Sequence, residues 1–385
     1  MGSDPSDQTR MKRCGEQLKR APLDRTRLPM VDHLTNKLPG GAHVPRIRPF
    51  PRTTSTVSRL TTAAALTLAA TIASGGSVDA QGMSPSARST FIEVADSVQL
   101  EVVDWGGEGP TLILLAGMGH SAHVFDGFVP RLTSHLHVIG ITRRGVGASS
   151  RPKHGYDSTT LVRDLIAVLD SLRLAKASFA GHSFGGSEMS ILAARFPERV
   201  DRLIYFDSAF DYRQLLDRVG VATALGSPQP PEGTYNRNTV ADWTLYAERS
   251  SGAGFPESEV RAMFRFGADG IFQSSATAPE TLRAMLDGIE PAPLTKIRAR
   301  TLAIYAAPTS AEVMYPSWYA FDDSARQRGR TVYAAVSAEH ALQRARFQRE
   351  VVGSRQVIIM GARHYLFLTH PGEVAHEVLS FMLRR

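Results

Sequence analysis

The chain has 385 residues, of which 43% are apolar, and it carries a formal charge of +7. That apolar share is enough to bury a substantial core, which excludes a disordered chain and leaves room for one large domain with an insertion. The charge excess lies in residues 1–80, which hold 12 Lys and Arg against 6 Asp and Glu, while the rest of the chain holds 32 against 31. The nearly neutral body therefore predicts no nucleic-acid partner.

Residues 1–80 are predicted to be a leader that contains a secretory signal peptide. An apolar run at about 60–73 follows Arg59, and the small residues that precede Gln81 fit a cleavage site near Ala80. The run is shorter than the roughly 20 apolar residues that a membrane span needs, so we expect no stable span in the mature chain. The sequence thus predicts export to the periplasm or the extracellular medium.

Beyond the leader, apolar strands alternate with amphipathic helices. Strands are predicted at 91–94, 98–105, 111–116, 136–142, 177–180, 203–206, 301–306 and 357–360, and helical patterns at 124–135, 157–173, 184–196 and 372–384. Continuous apolar runs such as TLILLA are typical of strands that are buried on both faces of a parallel sheet. The alternation predicts an α/β fold with a doubly wound, mostly parallel sheet and right-handed crossovers.

One segment interrupts this alternation. Residues 209–297 show helical patterns and Pro/Gly breaks without a strong strand. We interpret them as a mostly helical cap, inserted into a core that is formed by residues 81–208 and 298–385. Large apolar side chains of the cap are candidates for a lid over a small substrate, although most are expected to pack the cap helices against each other.

A serine flanked by glycines follows one of the predicted buried strands. Gly181, Ser183 and Gly185 form a G-x-S-x-G pattern between the strand at 177–180 and a helix. In this context the serine backbone adopts a strained turn that exposes its hydroxyl group, and the glycines avoid collisions with the adjacent strand and helix. The sequence therefore predicts Ser183 as a nucleophile. The alternative is a glycine-rich turn with a solvated serine.

From about residue 91 onward, the chain resembles the α/β-hydrolase superfamily. The resemblance is closest to the capped branch of that superfamily, which contains esterases, lactonases, C–C hydrolases, epoxide hydrolases and haloalkane dehalogenases. The segments that carry it are the serine turn, LLAGMG at 114–119, RGVGAS at 144–149 and FPERV at 196–200.

The resemblance implies an oxyanion hole formed by the backbone N–H groups of Met118 and Phe184. The chain departs from the family pattern at Ala116, where the family often has His, and at Thr142, where it often has Asp. Neither position performs chemistry directly. We therefore expect an altered anchoring of the loop and an unchanged mechanism.

A serine hydroxyl group needs a base within hydrogen-bond reach. His364 follows the last predicted strand, which is where the resemblance places the base, and the order Ser, acid, His also agrees. His370 is the alternative, but it precedes a proline and is better explained as the start of the final helix. Three further histidines near the site are expected to pack or to contact substrate: His120, His123 and His182.

The third member of the triad must be a carboxylate that orients the imidazole. The more common family position, just after the strand that ends at Ala306, contains no Asp, and Glu312 is the candidate there. Asp207 ends the strand after the nucleophile helix, where some haloalkane dehalogenases carry their acid. We favour Asp207 and keep Glu312 and Asp211 as alternatives. A purely structural alternative for Asp207 is a cap on the following turn.

These residues predict a hydrolase that cleaves a small apolar ester or lactone through an acyl-enzyme. A serine nucleophile argues against epoxide hydrolase and dehalogenase activity, because the family catalyses those reactions through an aspartyl ester. Two alternatives remain open: a C–C bond hydrolase that uses the same triad, and a non-catalytic, ligand-binding member of the fold. We expect no metal or organic cofactor, because the single cysteine, Cys14, lies in the leader and the common metal and phosphate motifs are absent. The sequence does not predict the oligomeric state.

Overall fold

A computed structural model describes residues 87–212, 214 and 228–384. The predicted leader, its apolar run and the cleavage site near Ala80 lie outside the described residues and stay predictions, as does the part of the predicted cap at 213 and 215–227. The described residues include no helix that is long and apolar enough to cross a membrane.

The described part of the chain is built around an eight-stranded sheet. Its strands are β1 (Arg88–Ala95), β2 (Val98–Asp104), β3 (Thr111–Leu115), β4 (His137–Ile141), β5 (Ala177–His182), β6 (Val200–Phe206), β9 (Arg300–Ala307) and β10 (Arg355–Met360), while β7 (Phe264–Phe266) and β8 (Phe272–Ser275) form a separate hairpin. The lateral order is β1-β2-β4-β3-β5-β6-β9-β10. The β1–β2 and β2–β4 pairs are antiparallel and the remaining pairs are parallel. The predicted mostly parallel sheet is confirmed.

Helices cover both faces of the sheet. They are α1 (Ser158–Ser171), α2 (Phe184–Arg195), α3 (Val240–Ser251), α4 (Glu257–Met263), α5 (Pro279–Asp287), α6 (Ala311–Met314), α7 (Asp323–Glu350), α8 (Leu366–Thr369) and α9 (Pro371–Leu383). Buried residues of β3 alternate between two apolar cores: Ile113 and Leu115 pack with α1 and α2, whereas Leu112 and Leu114 pack with α9. This double burial explains the uninterrupted apolar run of β3.

Two local details differ from the sequence predictions. The segment between β6 and β9, which we call the cap, contains the helices α3, α4 and α5, and it also contains the antiparallel β7–β8 hairpin, which we had not expected. These strands are too short to show a period of two. The helical pattern at 124–135 folds as two 3-10 turns, at Ala122–Phe125 and Val129–Arg131. Gly127 and Pro130 interrupt this pattern, and neither residue favours a continuous α-helix.

The loop after β3 is anchored by side chains from the segment that directly follows β4. The Thr142 hydroxyl accepts a hydrogen bond from the N–H of Ala122 at 3.0 Å and donates one to Glu101 at 2.9 Å. Arg143 donates to the carbonyl oxygens of Ala116 and Gly117 at 2.5 and 2.6 Å, and it forms a buried ion pair with Glu188. These contacts anchor the loop although Ala116 and Thr142 occupy the two positions where the family often has His and Asp.

His123, in the segment that follows this loop, lies between two buried carboxylates. Its Nδ1 is 3.0 Å from Asp126 Oδ2, and its Nε2 is 3.4 Å from Glu101 Oε1. Burial disfavours the charged ring, but hydrogen bonds and attraction from Asp126 and Glu101 outweigh that effect and raise the pKa of His123 to about 10. His123 is therefore a cation at neutral pH, and it ties the loop to β2.

We expect His123→Gln to destabilise the protein most at mildly acidic pH. Because the folded-state pKa of about 10 exceeds the unfolded value of about 6.5, the contribution of His123 is fully present below pH ~6.5 and is lost as the pH rises through ~10. Urea unfolding at pH 6 should show a loss of about 2–4 kcal/mol, which shrinks toward pH 10. His135→Gln, at an exposed neighbouring histidine, is the control. A loss for His123→Gln that is the same at pH 6 and pH 10 would contradict the assignment.

Candidate active site

Three of the predicted site residues lie at one edge of the sheet. Ser183 directly follows β5, Asp207 directly follows β6, and His364 lies in the turn after β10. The carboxyl ends of parallel strands meet at the same edge, where α/β proteins form their sites. Nδ1 of His364 is 2.8 Å from Oδ2 of Asp207. Ser183 and His364 line the same cavity.

Ser183 occupies a sharp strand-to-helix turn. Its backbone has φ 51° and ψ −122°, a region that non-glycine residues rarely adopt. A Cβ atom on Gly181 would lie 2.7 Å from the carbonyl carbon of Gly185, and one on Gly185 would lie 2.4 Å from the carbonyl oxygen of Leu115. The two glycines thus permit the close approach of strand and helix that holds the strained serine, whose conformation costs on the order of 1–3 kcal/mol.

The two residues that are predicted to form the oxyanion hole lie on two elements next to Ser183. Phe184 is the first residue of α2, and the first N–H groups of a helix have no acceptor within the helix. Met118 lies in the loop after β3 and lines the cavity next to Ser183. A Cβ atom on Gly117 would lie 3.2 Å from the Cβ of Ser183, so this loop passes directly beside the serine. Fixed donors of this kind are suited to stabilising an oxyanion.

Asp207 shares the backbone strain of Ser183. It has a φ of 46°, and it is one of four non-glycine residues with positive φ in the described part of the chain, Ser183 being another. Its carboxylate is buried and accepts a hydrogen bond from the N–H of Ala306 at 3.1 Å, in addition to its contact with His364. Strained backbone at two residues of one candidate site is typical of functional sites.

The partner of His364 Nδ1 determines its tautomer. Because an ionised carboxylate only accepts hydrogen bonds, Nδ1 carries the proton, and in the neutral ring Nε2 has the free lone pair. Nε2 is buried and has no hydrogen-bond partner among the described residues, so the Ser183 hydroxyl is not bonded to it in this structure. The ring of His182 contacts the backbone of His364, since its Nε2 donates to the carbonyl oxygen of that residue at 3.1 Å. Burial, together with nearby His364, lowers the pKa of His182 well below its usual range, so His182 is neutral.

Two phenols that no sequence pattern had singled out lie beside Asp207. Burial, reinforced by the charge of Asp207, raises the pKa of Tyr212 and of Tyr305. Ser183 lies close enough to the Tyr212 hydroxyl to oppose that rise, although neither phenol has a well-formed hydrogen bond within the described part of the chain. The surroundings of Asp207 are therefore largely desolvated.

The cavity above Ser183 has a volume of about 160 Å³ and lies between the sheet and the cap helices. Apolar side chains from the cap form much of its wall: Trp243, Ala247, Phe255, Val260, Met263, Phe264 and Leu282. Polar groups come from His120, His182, Tyr246, Ser250, Ser251 and Tyr365. The lining residues that the structure describes include no Lys, Arg, Asp or Glu.

The other candidate acids make no ion pair with the base within the described part of the chain. Glu312 lies on α6 and is exposed, and its own backbone N–H and Ser310 lower the pKa of its carboxyl group. Asp211 forms an ion pair with Arg346 at 2.7 Å. His370 precedes α9, as expected, and its ring contacts Thr369. The structure thus brings Asp207 to His364, and it does not bring Glu312 or Asp211 there.

His120 contacts a carboxylate that the sequence analysis missed. Its Nδ1 is 2.8 Å from Glu259 of α4, whose side chain is fully buried, and its Nε2 is 2.9 Å from the hydroxyl of Tyr365. A glutamate in a short helix ordinarily suggests a solvated face. Only the fold reveals that this residue is buried against the loop after β3.

Comparisons with known proteins agree with this architecture. A family model described as the alpha/beta hydrolase fold matches residues 110–263. A protein named as the carbamate hydrolase RutD of Caulobacter segnis is 31% identical over 184 residues, which cover 43% of this chain and 67% of that protein. The 2-hydroxy-6-oxo-2,4-heptadienoate hydrolase of Pseudomonas putida is 29% identical over 192 residues, which cover 48% of this chain and 67% of the enzyme.

Solved structures share the fold at lower sequence identity. E-2-(acetamidomethylene)succinate hydrolase has a TM-score of 0.55 at 17% identity, over 77% of this chain and 99% of its own. A serine hydrolase of carbazole degradation has a TM-score of 0.52 at 19% identity, over 77% of this chain and 100% of its own. These structural likenesses concern the fold alone. The relatives named here are hydrolases. The relative from Caulobacter segnis, together with the family model, shows that this chain belongs to the α/β-hydrolase superfamily.

Proposed function

We propose that this protein hydrolyses uncharged carboxylic esters or lactones through an acyl-enzyme on Ser183. The observation that carries the proposal is the hydrogen bond between Asp207 and His364, beside the cavity that Ser183 also lines. The hydrolase relatives support the reaction class. The strained serine turn and the backbone donors near it support the choice of nucleophile.

In the first half of the proposed reaction, Ser183 Oγ attacks the substrate carbonyl carbon and its proton passes to His364 Nε2. The hydroxyl must turn toward Nε2, and such hydrogen bonds often tighten only when substrate binds. The N–H groups of Met118 and Phe184 stabilise the oxyanion, and loss of one such donor typically costs about 3 kcal/mol of barrier height. The imidazolium then gives its proton to the leaving ester oxygen, which departs as an alcohol.

In the second half, a water molecule attacks the acyl-enzyme and gives its proton to His364 Nε2. The tetrahedral intermediate collapses to a carboxylic acid, and Ser183 Oγ leaves with the proton that His364 returns. Asp207 stays ionised throughout, holds the tautomer and stabilises the imidazolium that forms in each half. The cycle needs no group beyond these residues and water.

The cavity favours a neutral substrate over one that carries a carboxylate. Its described lining contains no Lys or Arg, His182 is held neutral, and His120 is already paired with Glu259. Burying a carboxylate without a partner costs several kcal/mol. This cost argues for an ester or lactone and against a dienoate of the kind that names the Pseudomonas putida relative.

We expect a p-nitrophenyl ester of a short fatty acid to be a better substrate than 2-hydroxy-6-oxo-2,4-heptadienoate. The difference in kcat/KM should be at least about 100-fold, since roughly 3 kcal/mol of uncompensated desolvation corresponds to that factor. Initial rates on the purified chain, followed by absorbance, give both constants. The methyl ester of the dienoate is the matched control for shape without charge. Faster turnover of the charged dienoate would favour C–C hydrolysis.

For the acid, we expect Asp207→Asn to lower kcat by about 10⁴-fold because the amide can favour the wrong histidine tautomer. Asn tolerates the left-handed backbone of residue 207, so the variant should fold normally. Glu312→Gln is the control and should stay within about twofold of wild type, since Glu312 is exposed and remote from the base. Larger losses for Glu312→Gln than for Asp207→Asn would reverse the assignment.

A further inference from the structure

A second carboxylate–histidine pair joins the cap to the loop after β3, and its histidine, His120, lines the cavity. Glu259 of α4 is fully buried, and its carboxylate accepts hydrogen bonds from His120 Nδ1 at 2.8 Å and from the N–H of Ser121 at 3.3 Å. The Ser121 hydroxyl donates to the other carboxylate oxygen. A buried carboxylate is stable only when its oxygens are satisfied in this way. All three donors belong to the loop after β3.

The chain of hydrogen bonds continues to the residue beside the catalytic base. Because His120 Nδ1 keeps its proton and donates it in the hydrogen bond to Glu259, the Nε2 of a neutral His120 ring is an acceptor. The hydroxyl of Tyr365 donates to this Nε2 at 2.9 Å. Burial, together with the charge of Glu259, raises the pKa of Tyr365, so its phenol stays protonated. The Tyr365 ring stands edge-on to the imidazole of His364 at 5.5 Å between ring centres.

Both ends of this series of hydrogen bonds lie next to groups that the proposed mechanism uses. His120 and Ser121 follow Met118, and the N–H of His120 donates to the carbonyl oxygen of Gly117 at 3.3 Å. Tyr365 directly follows His364. The cap residue Phe255 also packs against the rings of His120 and Tyr365, with ring centres 5.0 Å from each. A displacement of α4 would therefore alter contacts of the loop and of the base together.

We propose that Glu259 is a positioning residue that couples docking of the cap helix α4 to the reactive geometry, through His120 and Tyr365 toward His364 and through Ser121 toward the Met118 N–H. This inference rests on the proposed function. In this proposal the cap covers the active site and also supplies Glu259, a positioning group that does not touch the substrate.

The test compares Glu259→Ala, Tyr365→Phe and the double variant with the wild type. We expect Glu259→Ala to lower kcat for a neutral p-nitrophenyl ester at least about tenfold, with KM within about threefold, and to slow inactivation by a fluorophosphonate in parallel. Tyr365→Phe should also lower both rates. The double variant should lose no more than Glu259→Ala alone, because both changes interrupt the same chain.

Ser258→Ala is the matched control for loss of a contact between cap and loop. Ser258 neighbours Glu259 on α4 and donates to Asp126 at 2.5 Å, without contacting His120. A merely structural clamp would make Ser258→Ala and Glu259→Ala similar, whereas the proposal expects Ser258→Ala to stay within about twofold of wild type. Near-UV circular dichroism and thermal unfolding check that each variant is folded.

Several results would overturn the inference. One is a folded Glu259→Ala with the kcat and inactivation rate of the wild type; another is a double variant whose loss is the product of the two single losses. If Glu259→Ala does not fold, Tyr365→Phe alone tests the proposal, since this variant leaves the bonds of Glu259 to Ser121 intact. Wild-type rates in Tyr365→Phe would then overturn the proposal. A wild type that reacts with neither ester nor phosphonate overturns the proposed function and this inference with it, whereas a reactive wild type with equally reactive variants overturns the inference only.

Discussion

The hydrogen bond between Asp207 and His364 is the interaction on which the rest of the site depends. Asp207 is buried at the end of β6, where an ionised carboxylate is stable only if donors surround it. The Ala306 N–H and the His364 Nδ1–H are the donors that the structure places there. Because the carboxylate only accepts, Nδ1 of His364 is the nitrogen that carries the proton, and Nε2 is the acceptor in the neutral ring. That is the state which a general base for Ser183 requires.

The fold divides the work between a rigid sheet and an inserted cap. Parallel strands bring Ser183, Asp207 and His364 to one edge, and the strain at Ser183 and Asp207 persists because the packed strand ends over-determine their backbone. The cap supplies most of the apolar wall that excludes water and strengthens electrostatic interactions inside. In the proposed account it also supplies Glu259, so that the cap both covers the site and positions its groups.

The sequence predicts what depends on local patterns. Buried parallel strands have continuous apolar runs, and the serine turn has glycines at fixed offsets, so the sheet and Ser183 are both visible along the chain. Contacts between distant segments are harder to predict from sequence. The choice between Asp207 and Glu312, for example, depends on which strand end meets the base. The burial of Glu259 against the loop after β3 leaves no local trace in the sequence. Helix α7 was also missed, since its buried face includes Ala, Gly, Glu and Gln and therefore lacks an apolar stripe.

The most direct test of the central claim is to identify the atom that forms the covalent intermediate. Intact-protein mass spectrometry after treatment with a fluorophosphonate, followed by peptide mapping, should show one adduct per chain on the peptide that contains Ser183. Ser183→Ala should take up no label. A label on another residue, or a folded wild-type protein that stays unmodified, would contradict the assignment of Ser183 as a nucleophile activated by His364 and Asp207.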